Sequence, residues 1–259
     1  MIISHRHRFL FIKTEKTAGT SIELALARVC GPEDVITAVV HPADRALQRS
    51  LGPGYRGQQN DLVPWRFLDA LDVARGLKSL RRPRFTNHMA AVDIRRFVPR
   101  EVWDGYYKFC VERNPWDKAV SLYFWWRELE AQFRRDPVAF RRELGAAARG
   151  VEWMIAHHPV GDMTLSQFVQ SGRGNFVKGY DLYTIDGEVV VDRILRFERL
   201  TDDLGDVARQ LGIELPALPR AKGGIRKPGL HYRDQLDDAD RTKIARVFAR
   251  EIALLGYEF

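Results

Sequence analysis

The stretch that most constrains this chain is FLFIKTEKTAGTS, at residues 9–21. Its first four residues are apolar, and a run of this length predicts a short buried strand. Residues 13–19 then turn, and residues 20–29 (TSIELALARV) carry the apolar side chains of a helix that packs on a core. A strand, a tight turn and a helix N-terminus therefore follow one another at the start of the chain.

This arrangement predicts an anion-binding site. The start of a helix presents backbone N–H groups without partners, and the helix dipole favours negative charge there. Gly19 lets a ligand approach the backbone, Lys16 adds a cation, and three hydroxyls add donors, those of Thr17, Thr20 and Ser21. A phosphate or sulfate ester suits such a site. The loop is not a nucleotide P-loop, because its lysine precedes the glycine instead of following it.

A second anion-binding pattern begins after residues 106–112 (YYKFCVE), which predict another strand. Arg113 lies at the end of this strand, Pro115 suits the first turn of a helix, and Ser121 lies two turns further on. An arginine fork and a serine hydroxyl can converge on one anion. Two anion sites in series predict a ligand with two separate anionic groups.

The two motifs resemble those of sulfotransferases that use 3′-phosphoadenylyl sulfate (PAPS). The order KTAGTS at residues 16–21 is similar to the 5′-phosphosulfate loop of that family, in particular of its carbohydrate sulfotransferase branch. The family's 3′-phosphate site is an R-N-P sequence with a serine eight residues after the arginine, and residues 113–121 match that spacing. The sequences FERL at 197–200 and LGYEF at 255–259 also resemble the family, whereas residues 31–80 and 128–180 do not.

The resemblance implies a single sulfotransferase domain over residues 1–259. It implies an α/β, P-loop-like sulfotransferase fold, in which helices flank a mainly parallel central sheet. The implied reaction moves the sulfuryl group of PAPS to an acceptor hydroxyl, with a saccharide as the expected acceptor, and releases adenosine 3′,5′-bisphosphate. The implied cofactor-binding residues are Lys16, Thr17, Ala18, Gly19, Thr20, Ser21, Arg113 and Ser121.

The resemblance also implies two catalytic residues, His88 and Lys16. His88, within RFTNHMAA at residues 84–91, resembles the histidine that takes the proton of the acceptor hydroxyl, and the ordinary pKa of histidine suits this role. A hydrogen-bonded structural histidine is the alternative, and Glu15 is the second candidate for the base. Lys16 would stabilise charge on the bridging oxygen as the nucleotide leaves. Glu198 would orient the phosphate loop or support a helix.

Composition and charge agree with an anionic ligand. The chain has 259 residues, and its net charge is +7, from 41 Lys and Arg against 34 Asp and Glu. This balance suits a nucleotide or a polyanion, and it also favours non-specific attraction to nucleic acid. The two cysteines lie in apolar contexts, which predicts buried thiols. With no signal peptide, no membrane span and no carboxylate cluster for a metal, we expect a soluble, cytoplasmic protein without a metal site.

Two other classes of function fit parts of the sequence. A small-molecule kinase of P-loop type would need a complete P-loop and a carboxylate for magnesium. The P-loop is absent, and the strand-end carboxylate Glu112 belongs to the R-N-P motif. A non-catalytic basic module would bind nucleic acid through aromatic residues interleaved with basic ones, but the arginines are scattered along predicted helices. We therefore expect no nucleic-acid partner.

Further elements follow from periodicity and turn signals. Asp136-Pro137 predicts a break in a charged helical region at 128–150, and Asp186-Gly187 predicts the turn of a hairpin at 183–191. His5 and His7 predict a solvated basic N-terminus, and core packing is the favoured interpretation for Trp125, Trp126 and Trp153, with sugar stacking as the alternative. The remaining predictions are strands at 35–40 and 192–197, helices at 65–80, 93–98, 164–171, 203–211 and 237–255, and a loop at 220–233 that could close over a cofactor.

Overall fold

A computed structural model describes residues 1–39, 42–51, 59–60, 84–177, 179–219 and 231–259. Its strands are β1 (Ile2–Ser4), β2 (Phe9–Ile12), β3 (Val35–Ile36), β4 (Tyr107–Glu112), β5 (Thr184–Ile185), β6 (Glu188–Val189) and β7 (Arg193–Arg196). Five of them form the central sheet, in the order β3-β1-β2-β4-β7, and a separate two-stranded hairpin pairs β5 with β6.

The sheet is mainly parallel, as the sequence predicted. Strands β2, β4 and β7 are parallel neighbours, whereas β1 runs antiparallel to both β2 and β3. Ile12 is opposite Cys110, and Glu112 is opposite Arg196. The carboxyl ends of the three parallel strands therefore lie at one edge of the sheet, which is where ligands bind in open α/β sheets.

Helices cover both faces of the sheet. They are α1 (Gly19–Ala27), α2 (Pro42–Ser50), α3 (Ala91–Phe97), α4 (Arg100–Gly105), α5 (Pro115–Arg135), α6 (Pro137–Leu144), α7 (Ala148–His157), α8 (Leu165–Gln170), α9 (Leu200–Leu211), α10 (Asp238–Val247) and α11 (Ala249–Leu255). Phe9 and Phe11 contribute to one buried cluster with α1 and α9, whereas Leu10 and Ile12 contribute to another with α3 and α4. This alternation has the period of two that a strand imposes on its side chains.

Side-chain caps fix the bounds of α5 and α6. The Asn114 side chain accepts a hydrogen bond of 3.1 Å from the N–H of Trp116, and Pro115 occupies the first helical position. Asp136 ends α5 and caps α6, because its carboxylate accepts from the N–H groups of Val138 and Ala139. The predicted start of α5 and the predicted break at 136–137 are confirmed, and each has the stabilisation expected of an N-cap.

Several local predictions are wrong or only partly confirmed. The solvated basic N-terminus is confirmed in part, because His5, Arg6 and Arg8 are exposed. The first four residues are instead buried, and His7 is partly buried, with Nε2 3.1 Å from the carbonyl of Val29. The strand at 35–40 is shorter than predicted, and the single helix at 237–255 is divided at Phe248. Trp126 is buried as predicted, but Trp153 is 59% exposed. The helix predicted at 65–80 and most of the loop at 220–233 lie outside the described residues.

Both cysteines are buried and are not joined by a disulfide, as the sequence predicted. Burial raises the pKa of the Cys110 thiol well above its usual range. Across the described ranges, no helix is long and apolar enough to span a membrane.

Candidate functional site

The loop between β2 and α1 folds against the end of β4. The Thr14 hydroxyl donates to the carbonyl of Val111 and lies 2.8 Å from the Thr17 hydroxyl. Thr17 is completely buried, so its hydroxyl braces the loop instead of facing a ligand. Lys16 and Ala18 both have positive φ, 61° and 59°, on either side of Thr17. Such alternation turns successive backbone N–H groups towards one side of a loop, which is a geometry that binds anions.

Helix α1 begins directly after this loop and lacks a side-chain cap. Its first internal hydrogen bond runs from the N–H of Ile22 to the carbonyl of Ala18, over 3.2 Å. The N–H groups of Gly19 and Thr20 therefore have no acceptor within the helix. The first turn also carries no acidic residue. The positive end of the helix dipole is thus not neutralised by its own first turn.

A buried lysine that the sequence did not single out lies across this helix start. The Lys13 ammonium forms an ion pair with Glu23 and lies 3.4 Å from the Thr20 hydroxyl. A Cβ at Gly19 would be 2.7 Å from Cγ of Lys13, so the glycine makes room for the lysine stem. Glu23 also accepts from the Met1 ammonium. The sequence did contain a signal for this pair: a lysine follows a buried strand directly, and a glutamate lies on the next helix. This pattern could have predicted the ion pair.

Arg113 joins the two motifs, which are 97 residues apart in sequence. Its Nη1 donates to the carbonyl of Lys16 over 3.0 Å. Nε and Nη2 both donate to Oδ2 of Asp117, over 2.9 Å and 2.6 Å, and the guanidinium carbon lies 4.1 Å from the centroid of the Phe197 ring. Three of the five guanidinium N–H groups are engaged in these bonds. The end of β4, the end of β7 and the loop after β2 therefore meet at one arginine.

Two carboxylates hold the backbone on either side of the Arg113–Asn114 peptide. Oε1 of Glu112 accepts from the N–H of Arg113 over 3.0 Å and from the Lys118 ammonium over 2.7 Å. Oε1 of Glu198 accepts from the N–H of Asn114 over 2.6 Å. Glu198 thus supports the start of α5, which is one of the two roles that the sequence left open for it.

One face of α5 carries the polar end of the site. Asp117, Ser121 and Trp125 are four residues apart in turn, so they lie on the same side of the helix. Arg113 contacts the first of them, and the ammonium of Lys16 lies 5.0 Å from the ring centroid of the third. Ser121, partly buried, occupies the turn between the two cations. The structure therefore brings Lys16, Arg113 and Ser121 to one side of α5.

His88 also reaches this edge of the sheet. Its Nδ1 lies 3.0 Å from the carbonyl of Lys13, so this nitrogen carries the proton and Nε2 is left as an acceptor. The φ of His88 is 55°, a third left-handed non-glycine residue at the site beside Lys16 and Ala18. Backbone strain of this kind concentrates at functional sites. Burial first, and the Lys13 charge second, lower the pKa of His88 to about 3.

The lowered pKa of His88 predicts a dependence of stability on pH. Between about pH 3 and pH 6.5 the unfolded chain binds a proton at this position that the folded protein does not. The free energy of unfolding should therefore fall as the pH drops through this window, with a slope of up to about 1.4 kcal/mol per pH unit from this group. Urea unfolding at pH 5, 6 and 7 measures the slope, and we expect His88→Asn to reduce it. The same substitution at the exposed His157 is the matched control, and equal slopes for wild type and His88→Asn would contradict the prediction.

Comparisons with known proteins add little about the site. No family model matches the chain, and no solved structure matches it. An uncharacterized protein of Archaeoglobus fulgidus is 27% identical over 128 residues, which cover 48% of this chain and 83% of that protein. Since that relative is itself uncharacterized, the similarity carries no information about an activity.

Proposed function

We propose that this protein is a sulfotransferase of the P-loop-like fold, which moves the sulfuryl group of PAPS to an acceptor hydroxyl, with a saccharide as the expected acceptor. One observation carries the proposal: the hydrogen bond of 3.0 Å between Nη1 of Arg113 and the carbonyl of Lys16. This bond puts the loop that resembles a 5′-phosphosulfate site against the motif that resembles a 3′-phosphate site. A ligand with anionic groups at both ends of a nucleoside would need such a pair of neighbouring sites.

The residues present fit such a ligand. Backbone N–H groups at the start of α1 would hold the 5′ phosphate, since Gly19 and Thr20 have no acceptor within the helix. Arg113 keeps two N–H donors beyond its three bonds to described residues, and Ser121 adds a hydroxyl one turn after Asp117. These two side chains would hold the 3′ phosphate. The hydroxyl of Thr17 is turned inwards, so the contribution of this residue would be its backbone N–H.

PAPS, when bound, supplies an activated sulfuryl group bonded to a phosphate oxygen. The work of the protein is then mainly positioning and charge stabilisation. Nε2 of His88 would take the proton of the acceptor hydroxyl, because Nδ1 already donates to the carbonyl of Lys13. The pKa of about 3 differs from the ordinary value on which the sequence prediction rested: it keeps the imidazole neutral, but it makes His88 a weaker base than an ordinary histidine. Lys16 would stabilise the negative charge that develops on the phosphate oxygen as the bond to sulfur breaks. Glu15, in the same loop and partly buried, is the second candidate for the base.

The experiment that tests the proposal follows the release of adenosine 3′,5′-bisphosphate from PAPS in the presence of a panel of mono- and oligosaccharides. We expect release that depends on an acceptor and falls in His88→Ala. Release that no acceptor stimulates, or release that His88→Ala and Glu15→Ala both leave unchanged, would contradict the assigned roles. Phosphoryl transfer from ATP that requires magnesium would favour the kinase instead.

Ser121→Ala should weaken recognition of the 3′ phosphate selectively. Loss of one hydroxyl donor to a charged group costs about 1.5–3 kcal/mol, so the affinity for adenosine 3′,5′-bisphosphate should fall roughly tenfold or more. The affinity for AMP, which lacks the 3′ phosphate, should change little. Calorimetric titration of both nucleotides measures the difference, and an equal loss for the two would show that Ser121 does not contact the 3′ phosphate.

A further inference from the structure

Trp125 lies directly beneath the lysine of the loop. The Lys16 ammonium is 5.0 Å from the centroid of the indole ring, within the range in which a cation is attracted to an aromatic face. The ring is fixed from below, since Trp125 packs against two buried clusters, one of which includes Leu129, Phe140 and Leu144. A lysine side chain has four rotatable bonds, and ordering it costs conformational entropy. A rigid ring face at this point would restrict the Lys16 side chain in the free protein, so that less conformational entropy is lost when a ligand binds.

Packing against the two clusters requires a large apolar ring at this position, but it does not require the N–H of an indole. Nε1 of Trp125 is buried and has no hydrogen-bond partner in the part of the chain that the structure describes. A buried donor without an acceptor destabilises the folded state, so the N–H of this indole lowers the stability of the protein. Tryptophan nevertheless offers the best face for a cation among the aromatic side chains. The feature that distinguishes tryptophan here is therefore its ring face, and the group that contacts this face is the Lys16 ammonium.

We propose that Trp125 is a positioning residue for Lys16. Its ring holds the ammonium one helical turn from Ser121 and on the same side of α5 as Arg113, so that an arriving anion meets an oriented cation. This inference rests on the proposed function, because it assigns Lys16 to the nucleotide anion. The inference adds to the proposed nucleotide site one residue, Trp125, that belongs neither to the R-N-P motif nor to the loop.

Two substitutions test the inference, with adenosine 3′,5′-bisphosphate as the probe. Trp125→Phe keeps a weaker ring face and removes the buried N–H, whereas Trp125→Leu removes the face altogether. A cation–aromatic contact of this kind corresponds to roughly a two- to thirtyfold change in the dissociation constant. We expect the affinity for the bisphosphate to decrease in the order tryptophan, phenylalanine, leucine. The melting temperature of Trp125→Phe should stay within about 4 °C of the wild type, so that affinity and stability separate.

Indole fluorescence gives a signature that a purely structural role would not produce. Binding of the bisphosphate should bring a negative charge next to the Lys16 ammonium while the ammonium stays on the ring, and this should change the emission of Trp125. The change should saturate together with the calorimetric titration, and it should be absent in Trp125→Phe and in Lys16→Met. Trp126→Phe is the matched control, because this neighbouring ring is buried and packs on Phe168 at 6.0 Å. It should keep both the fluorescence change and the wild-type affinity.

The outcomes separate this inference from the proposed function. If the wild type binds the bisphosphate but both Trp125 variants bind it equally well, the positioning role is overturned and the function is not. Persistence of the fluorescence change in Trp125→Phe would also overturn it. If the wild type does not bind the bisphosphate in calorimetry, the proposed function fails, and the assignment of Trp125 fails with it.

Discussion

Replacing Lys16 with methionine is expected to lower the rate of bisphosphate release from PAPS by about 10²–10³-fold, the effect of removing one donor aimed at developing charge. Methionine keeps the length and the apolar stem of the side chain, so the loss concerns the ammonium. The contact between Nη1 of Arg113 and the loop uses the carbonyl of Lys16 and not its side chain. We therefore expect Lys16→Met to keep its fold and to lose at least as much affinity for the bisphosphate as Trp125→Leu, because the ammonium itself is then absent.

Initial rates at saturating PAPS measure this effect, together with the melting temperature of each variant. Lys243→Met, on α10 and partly exposed, is the matched control for loss of a lysine charge. A rate for Lys16→Met within about threefold of the wild type would show that the lysine does not act on the leaving oxygen. A large loss of melting temperature in Lys16→Met would instead mark it as a structural residue of the loop.

Gly179→Ala is expected to destabilise the protein by about 3–5 kcal/mol, the usual cost of disrupting a buried ion pair. A Cβ at this glycine would lie 2.6 Å from Oε2 of Glu112, 2.6 Å from Nζ of Lys118 and 3.2 Å from Oε1 of Glu251. Glu112 and Lys118 are each 1% exposed and pair over 2.7 Å. A methyl group would push these charges apart where no solvent can take them up. The same shift would disturb the hydrogen bond that the N–H of Arg113 donates to Glu112.

Urea unfolding of Gly179→Ala measures the loss, and Gly205→Ala is the matched control. Gly205 lies inside α9, and a Cβ there would meet nothing within 4 Å. Alanine favours a helix interior over glycine by about 1 kcal/mol, so Gly205→Ala should be slightly more stable than the wild type. If the free energy of unfolding of Gly179→Ala lies within about 1 kcal/mol of the wild type, the charged side chains around Gly179 can move to admit the methyl group without destabilising the protein.

The parts of the fold that the sequence predicted are those with strong local signals. The apolar run at 9–12, Pro115 after Asn114 and the Asp186-Gly187 turn each determine an element within a few residues. The three-residue strand β1 has no comparable signal, because its stability comes from pairing with β2 and β3 on both sides. The break at Phe248 between α10 and α11 likewise follows no proline or glycine.

The sequence singled out residues of the candidate site but not the contacts among them. The chemistry of Lys16 and Arg113 pointed to anions, and the structure brings both to one edge of the sheet. Their present partners, Trp125 and Asp117, depend on how α5 lies beside the loop, which periodicity does not give. The strong lowering of the pKa of His88 could not be predicted either, because it arises from burial and from the neighbouring Lys13.

The most direct measurement of the central claim is a calorimetric titration with adenosine 3′,5′-bisphosphate, set beside ATP and AMP. The two proposed anion sites predict micromolar binding of the bisphosphate without magnesium, weaker binding of ATP, and loss of the preference in Arg113→Ala. Arg113→Ala must retain a cooperative unfolding transition for this comparison. Equal binding of the three nucleotides, or tighter binding of ATP that requires magnesium, would contradict the sulfotransferase account and favour a kinase.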